Sequence, residues 1–236
     1  MRSLRLLTAS LLLLACPLAA RQEETPPKTS TRSDAYFGRY IVRYLDVYSA
    51  QTLAWEQCPK KEECEIKGLS QDRGAVLDVT VDAATHDRLA RAFAEHDVPR
   101  TQSFQLVVLA ASTKPNGDVP ALYKGAQKAL DDIKGFLPFK SYRILDTALI
   151  RVTQFDVAKS QVAGLPPSTY EVLLRFRTAG VEGEKLIIDT FGLKDRKDNN
   201  LIQTAFSMDI GETVVVGTSS VDAAQESLVV LMSAMP

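Results

Sequence analysis

The chain has 236 residues, 45% of them hydrophobic and 24% charged, with a formal net charge of −1; this is an ordinary globular composition, sufficient for one large domain or two small ones. Arg2 and Arg5 are the only charged residues in residues 1–20, so the rest of the chain is slightly more acidic than the whole. Phosphate recognition needs a basic surplus or a basic stripe, and with neither present nucleic acid is excluded as the main partner.

In chain order, residues 1–20 read as a secretion signal. Arg2 and Arg5 form a basic start, Leu6 to Ala15 an apolar run broken only by Thr8 and Ser10, and Ala19 and Ala20 a small-residue cleavage site. The run is too short to cross a bilayer, and no later apolar stretch reaches the roughly 18 residues that a spanning helix needs. Leu13-Leu14-Ala15-Cys16 is similar to the lipobox of bacterial lipoproteins. That resemblance implies lipidation of Cys16 and a membrane attachment made through the lipid alone. Cleavage near Ala20, with Cys16 discarded, is the alternative. Residues 21–35 are polar, contain Pro26-Pro27 and show no periodicity, as expected of a flexible linker.

A folded pattern begins at Tyr36. Tyr36 to Tyr48 is rich in aromatic and β-branched residues and predicts a strand; Ser49 is the expected N-cap of a short helix over residues 50–57. Cys58 and Cys64 enclose Pro59-Lys60-Lys61-Glu62-Glu63. In an oxidising compartment they read as a disulfide, worth about 2 kcal/mol in the chain-entropy model. The two lysines beside two glutamates read as solvated surface. A brief strand is expected over residues 64–67. Ala75, Leu77, Val79 and Val81 then alternate with Asp78, Thr80 and Asp82, giving a strand with one apolar and one polar face. Thr85 to His96 predicts a helix with Leu89, Ala92 and Phe93 on one side, ended by Pro99. Residues 36–100 thus predict a small β-α-β-β-α domain. Leu77, Val79 and Val81 should lie beneath Leu89 and Phe93, leaving Asp78 and Thr80 as a solvated or docking face.

Residues 101–236 predict a larger, β-rich domain. Ser103 to Ala111 is a continuous apolar run, expected to be a buried strand. Asp118 is the expected cap of a helix running through Lys134, with Leu122, Ala126, Ala129, Leu130 and Ile133 at helical spacing and Gly135 as its stop. Beyond Pro138 the pattern is β. Tyr142 to Phe155 forms two short strands or one bent one, and Tyr170, Val172, Leu174 and Phe176 alternate with Glu171, Arg175 and Arg177. The two arginines read as solvated surface. Strands follow over residues 185–191, 201–208, 213–216 and 226–232. The fold class is α+β, with the second domain an antiparallel sheet carrying one helix.

Chemical motifs are missing. There is no Gly-x-Ser-x-Gly elbow, P-loop or Gly-x-Gly-x-x-Gly. Asp195, Asp198, Asn199 and Asn200 cluster, but without the glycine turn a calcium loop needs, and Lys197 would oppose the ion. Asp131 and Asp132 point to adjacent helix faces and make a poor carboxylate pair. His86 and His96, the only histidines, point to different faces of one predicted helix and cannot complete a zinc site with Cys58 and Cys64. No catalytic residue, metal site or cofactor is expected.

Several stretches resemble a known family. Tyr40-Ile41-Val42-Arg43-Tyr44-Leu45-Asp46 opens into a helix bearing Leu53 and Trp55; Asp72 to Thr80 contains Leu77 and Val79 at strand spacing; Thr85 to Leu89 leads to His96-Asp97-Val98-Pro99. Together they resemble the small periplasmic N-domains of bacterial secretins, the ring-forming proteins of type II secretion and type IV pili. Phe104 to Leu109 looks like the first strand of the secretin domain, and Met208 to Gly217 resembles its glycine-bearing hairpin. Ala75 stands where the N-domain strand has asparagine, Thr218 replaces a second glycine, and residues 114–139 have no counterpart. The resemblance implies a KH-like module followed by a shortened secretin-type β region. It further implies a non-enzymatic structural or accessory role in the periplasm or envelope, within a secretion or pilus-type assembly, with an envelope protein or further copies of the chain as partner. A periplasmic peptide- or ligand-binding module is the alternative, and an exported hydrolase of unfamiliar type a third reading.

Overall fold

The structure, a computed structural model, describes residues 35–236 apart from 116–121, 123, 166–167, 182, 184 and 222–225. Residues 1–34, which hold the expected signal, Cys16 and nearly all of the expected linker, lie outside the described residues. The first elements are β1 (Ala35–Val42), α1 (Val47–Glu56), β2 (Glu65–Ser70), β3 (Ala75–Asp82) and α2 (Ala83–His96). The strands form an antiparallel sheet in the order β1-β3-β2. Because side chains alternate along a strand, Ala75, Leu77, Val79 and Val81 all point to one face, where they are essentially fully buried. They pack there with Leu89 and Phe93 of α2 and with Ala50, Leu53 and Ala54 of α1.

Carboxylates set the boundaries of these elements. β1 ends at Val42, short of the expected Tyr48, because the Asp97 carboxylate collects the backbone N–H groups of Arg43, Tyr44 and Leu45 at 2.6–3.2 Å and turns the chain. The cap of α1 is Asp46 and not the expected Ser49. Asp46 Oδ1 accepts the N–H groups of Tyr48 and Ser49, and the Ser49 hydroxyl donates to Oδ2 from inside the first turn. Asp82 caps α2 in the same way through Thr85. The β2–β3 turn presses so closely on the end of β1 that a Cβ on Gly74 would collide with the Val42 carbonyl, and Gly74 has φ +74°. A disulfide joins Cys58 to Cys64 across the connection from α1 to β2.

The remainder comprises β4 (Thr101–Ser112), α3 (Lys124–Lys134), β5 (Ser141–Thr153), β6 (Val157–Ala163), β7 (Thr169–Ala179), β8 (Lys185–Lys194), β9 (Asn200–Asp209), β10 (Thr213–Val221) and β11 (Glu226–Ala234). These strands make two antiparallel sheets, ordered β10-β11-β4-β5 and β6-β7-β8-β9. Phe104, Leu106 and Val108 of β4 and Leu228, Val230 and Met232 of β11 share a core with Val172, Leu174 and Phe176 of β7 and Leu186 and Ile188 of β8. Phe104 and Phe176 meet edge to face at 5.5 Å. On the opposite side of the first sheet, Val107, Leu109, Val229 and Leu231 bury Ala126 and Leu130 of α3. The layers are helix, sheet, sheet. The continuous apolar runs of β4 and β11 follow from this, since both strands are covered on both faces. The second sheet buries a face that one helix on a single sheet would leave open.

Other outcomes have local causes. β5 takes the second of its two expected forms, one strand bent where its register against β4 shifts at Leu145. β6 was not anticipated; it is an edge strand with Val162 as its one fully buried side chain, so it lacks a hydrophobic signature. α3 is described over Lys124–Lys134, and its expected cap Asp118 lies outside the described residues.

Candidate docking face and cleft

The face of the small sheet turned away from α1 and α2 is built from three cross-strand rows. The antiparallel registers align Phe37, Thr80 and Glu65 in one, Arg39, Asp78 and Lys67 in the next, and Ile41, Val76 and Leu69 in the third. Phe37, Ile41 and Leu69 are 66%, 66% and 64% exposed, a concentration of large apolar side chains on one rigid surface. The middle row is electrostatically closed on itself. Arg39 donates Nε and Nη2 to the two Asp78 oxygens at 2.6 and 2.8 Å. The Arg39 hydrogen bonds, with Lys67 adding to them, hold the Asp78 carboxyl below the usual carboxylate range, and Asp78 in turn raises the Arg39 guanidinium. Asp78 and Thr80 are therefore central to this face and half-buried within it. The Asp78 carboxylate is committed to Arg39, while the apolar flanks project. Arg39, Phe37, Ile41 and Leu69 did not stand out in sequence; β1 shows no clean alternation, because its first residues are exposed on both sides.

Arg175 and Arg177 are not simply solvated surface. They line a cleft of about 500 Å³ between the small sheet and the sandwich, with Asp46, Tyr48, Asp72, Phe155 and Asp189. Arg175 donates Nη2 to the Asp72 carbonyl and carboxylate at 2.7 and 2.9 Å, and Arg177 donates Nε to Asp189 at 2.9 Å. Arg73 pairs with Asp156 at 2.9 Å, and Gln154 donates to the Tyr44 carbonyl at 2.6 Å. Apart from Arg177–Asp189, which lies within the second sheet between β7 and β8, these polar ties join the two parts of the fold. Phe155, at the cleft wall, holds φ +65°, an uncommon conformation for a bulky side chain; its N–H donates to the Phe176 carbonyl at 2.8 Å.

The other singled-out residues sit in quieter places. Trp55 packs against the core of the small module. Lys60 pairs with Glu63 at 2.9 Å on an exposed turn. The Asp195 carboxylate accepts from Lys197 N–H, Asn199 N–H and the Asn199 amide, which closes a polar inter-strand loop and lowers the Asp195 pKa. His86 meets the Tyr40 hydroxyl through Nδ1. Among the described residues, no three His, Cys, Asp or Glu side chains gather as a metal site would require, and no helix is long and apolar enough to cross a membrane.

No family model and no curated protein matches the chain. Solved structures do align with most of it. A chain of the Salmonella SPI-1 type III secretion injectisome basal body, an assembly of InvG, PrgH and PrgK, is 10% identical over 85% of this chain, with a TM-score of 0.30. The V. cholerae type IV competence pilus secretin PilQ is 8% identical over 86%, with a TM-score of 0.29. The ETEC pilotin–secretin AspS–GspD complex gives 10% over 84%, with a TM-score of 0.32. The chain spans 61%, 77% and 62% of those chains respectively. At these identities and TM-scores the alignments carry no argument for this chain.

Proposed function

We propose that this chain is a non-enzymatic structural or accessory protein of the bacterial envelope, exported to the periplasm and taking part in a secretion or pilus-type assembly through the outer face of its small sheet. The observation that carries this is the exposure of Phe37, Ile41 and Leu69 on a three-stranded sheet braced by two helices. Exposed apolar groups on a braced backbone bind partners at a reduced ordering cost. The Cys58–Cys64 disulfide suits an oxidising compartment such as the periplasm, and the signal-like residues 1–20 suit export.

The test is mild crosslinking of envelope fractions followed by co-purification with the tagged chain. A partner that is captured by the parent and lost with Phe37→Lys or with Asp78→Lys supports the reading. Absence of any envelope partner refutes it. Cys16→Ser decides the anchor: release from the membrane fraction indicates a lipoprotein, whereas a mature amino terminus at Arg21 indicates ordinary cleavage. The alternative of a ligand-binding module is favoured by the Arg175–Arg177 cleft, whose volume lies within the range of small-molecule sites.

A further inference from the structure

We infer that the free edge of β1 pairs with β1 of a second copy, joining the two small sheets into one antiparallel sheet across a twofold axis. The inference rests on the assembly reading above and names its self-contact. Among the described residues the sheet order is β1-β3-β2, so β1 and β2 are both edges. An edge strand offers a row of backbone donors and acceptors to any second strand, and proteins guard such edges with charge or brevity. β2 is guarded: it has six residues, and its charged Lys67 and Glu65 pair along one face of it at 2.7 Å. β1 is unguarded. It has eight residues, and Tyr36, Phe37 and Ile41 are each more than half exposed. Its one charge, Arg39, is neutralised bidentately by Asp78 of its own sheet.

The pattern of β1 is also self-complementary. In an antiparallel pairing centred on Arg39, Phe37 of one copy stands opposite Ile41 of the other, twice. Cross-strand aromatic–aliphatic pairs of this kind stabilise a sheet. The two Arg39 side chains face each other, each already holding a carboxylate. A single shared edge is a small interface, at the low end of those that form specific complexes, so the dimer is expected to be concentration-dependent.

Sedimentation equilibrium of the purified protein over a concentration series reads the association directly. The parent should show a monomer–dimer equilibrium, and the double variant Phe37→Lys/Ile41→Lys should weaken it by about tenfold or more while melting at the parent's temperature. Register is tested by oxidation in a Cys16→Ser background. A mixture of Phe37→Cys and Ile41→Cys proteins should crosslink several-fold faster than either alone, and Lys67→Cys on β2 should not crosslink. The inference is overturned by a monomer at every concentration, by a lysine variant that dimerises like the parent, or by Lys67→Cys crosslinking as fast as the mixture. A monomer that still captures an envelope partner would overturn this pairing and leave the assembly reading standing; a dimer without an envelope partner would do the reverse.

Discussion

Replacing Asp97 with alanine removes the group that turns the chain out of β1. Its carboxylate accepts backbone N–H groups from Arg43, Tyr44 and Leu45 at 2.6–3.2 Å. Hydrogen bonds to a charged acceptor contribute about 1.5–3 kcal/mol each. They are not additive here: the Arg43 N–H lies at the surface, where water replaces the acceptor, while those of Tyr44 and Leu45 are partly buried. The expected loss is about 3 kcal/mol for Asp97→Ala and about half of that for Asp97→Asn, which keeps an acceptor oxygen and loses the charge. The assay is built into the chain. Trp55 is its single tryptophan and packs against the core of the small module, so its fluorescence during urea unfolding follows that module, and circular dichroism follows the sheets as a whole. A change below about 0.5 kcal/mol, the level of an unremarkable surface substitution, would refute the account of Asp97 as the organiser of this turn.

Leu77→Asp places an uncompensated carboxylate at a fully buried position beneath both helices; it should cost several kcal/mol and expose Trp55, whereas Asp78→Lys, one residue away on the outer face, loses only the exposed ion pair with Arg39 and should lower the melting temperature far less. Replacing Cys58 and Cys64 by serine should lower stability by about 2 kcal/mol through the freed loop, measured by urea unfolding against the oxidised parent. Arg39 and Thr85 hold the Asp78 and Asp82 carboxyls below their ordinary values, so their contribution is complete above the unfolded carboxylate pKa and is lost as pH falls through the lower folded one. Thermal melts taken from pH 6 down to about pH 2 should show this loss, and Asp82→Asn should flatten the acid limb; an unchanged limb would count against it.

Legibility followed the periodic elements. β3 is bounded by Ala75 and Asp82 as expected because its alternation is uninterrupted and its two faces differ in polarity. α2 was visible for the same reason, with Leu89, Ala92 and Phe93 on one side. The β-α-β-β-α order therefore came through, as did the α+β class. The end of β1 did not, since the residues past Val42 are as aromatic and β-branched as those before it, and only a carboxylate more than fifty positions away, at Asp97, stops the strand. The cap of α1 was misplaced by three positions because Ser49 and Asp46 are both good caps; Ser49 loses because its hydroxyl is spent on Asp46.

The division of the larger region into two sheets and the fate of Arg175 share one cause. Period-two alternation assigns side chains to two faces but does not say what will lie over either of them. In β7, Tyr170, Val172, Leu174 and Phe176 point to one side and Arg175 and Arg177 to the other, as the sequence implies. A polar face with no known neighbour reads as solvent. Here the neighbour is the β2–β3 turn of the small module, whose Asp72 meets Arg175 through both its carbonyl and its carboxylate. The side chain of Asp72 is 83% exposed while that of Arg175 is 24% exposed, so the pair is screened from one side only, and its carboxylate adds little binding of its own. What holds Arg175 in place is the backbone carbonyl, which no side-chain substitution at position 72 removes. Asp72→Ala should therefore leave the two parts of the fold joined, while Arg175→Ala should loosen them, read as faster hydrogen exchange in residues 70–74. Equal effects from the two variants would show that the ion pair, and not the carbonyl, makes the joint.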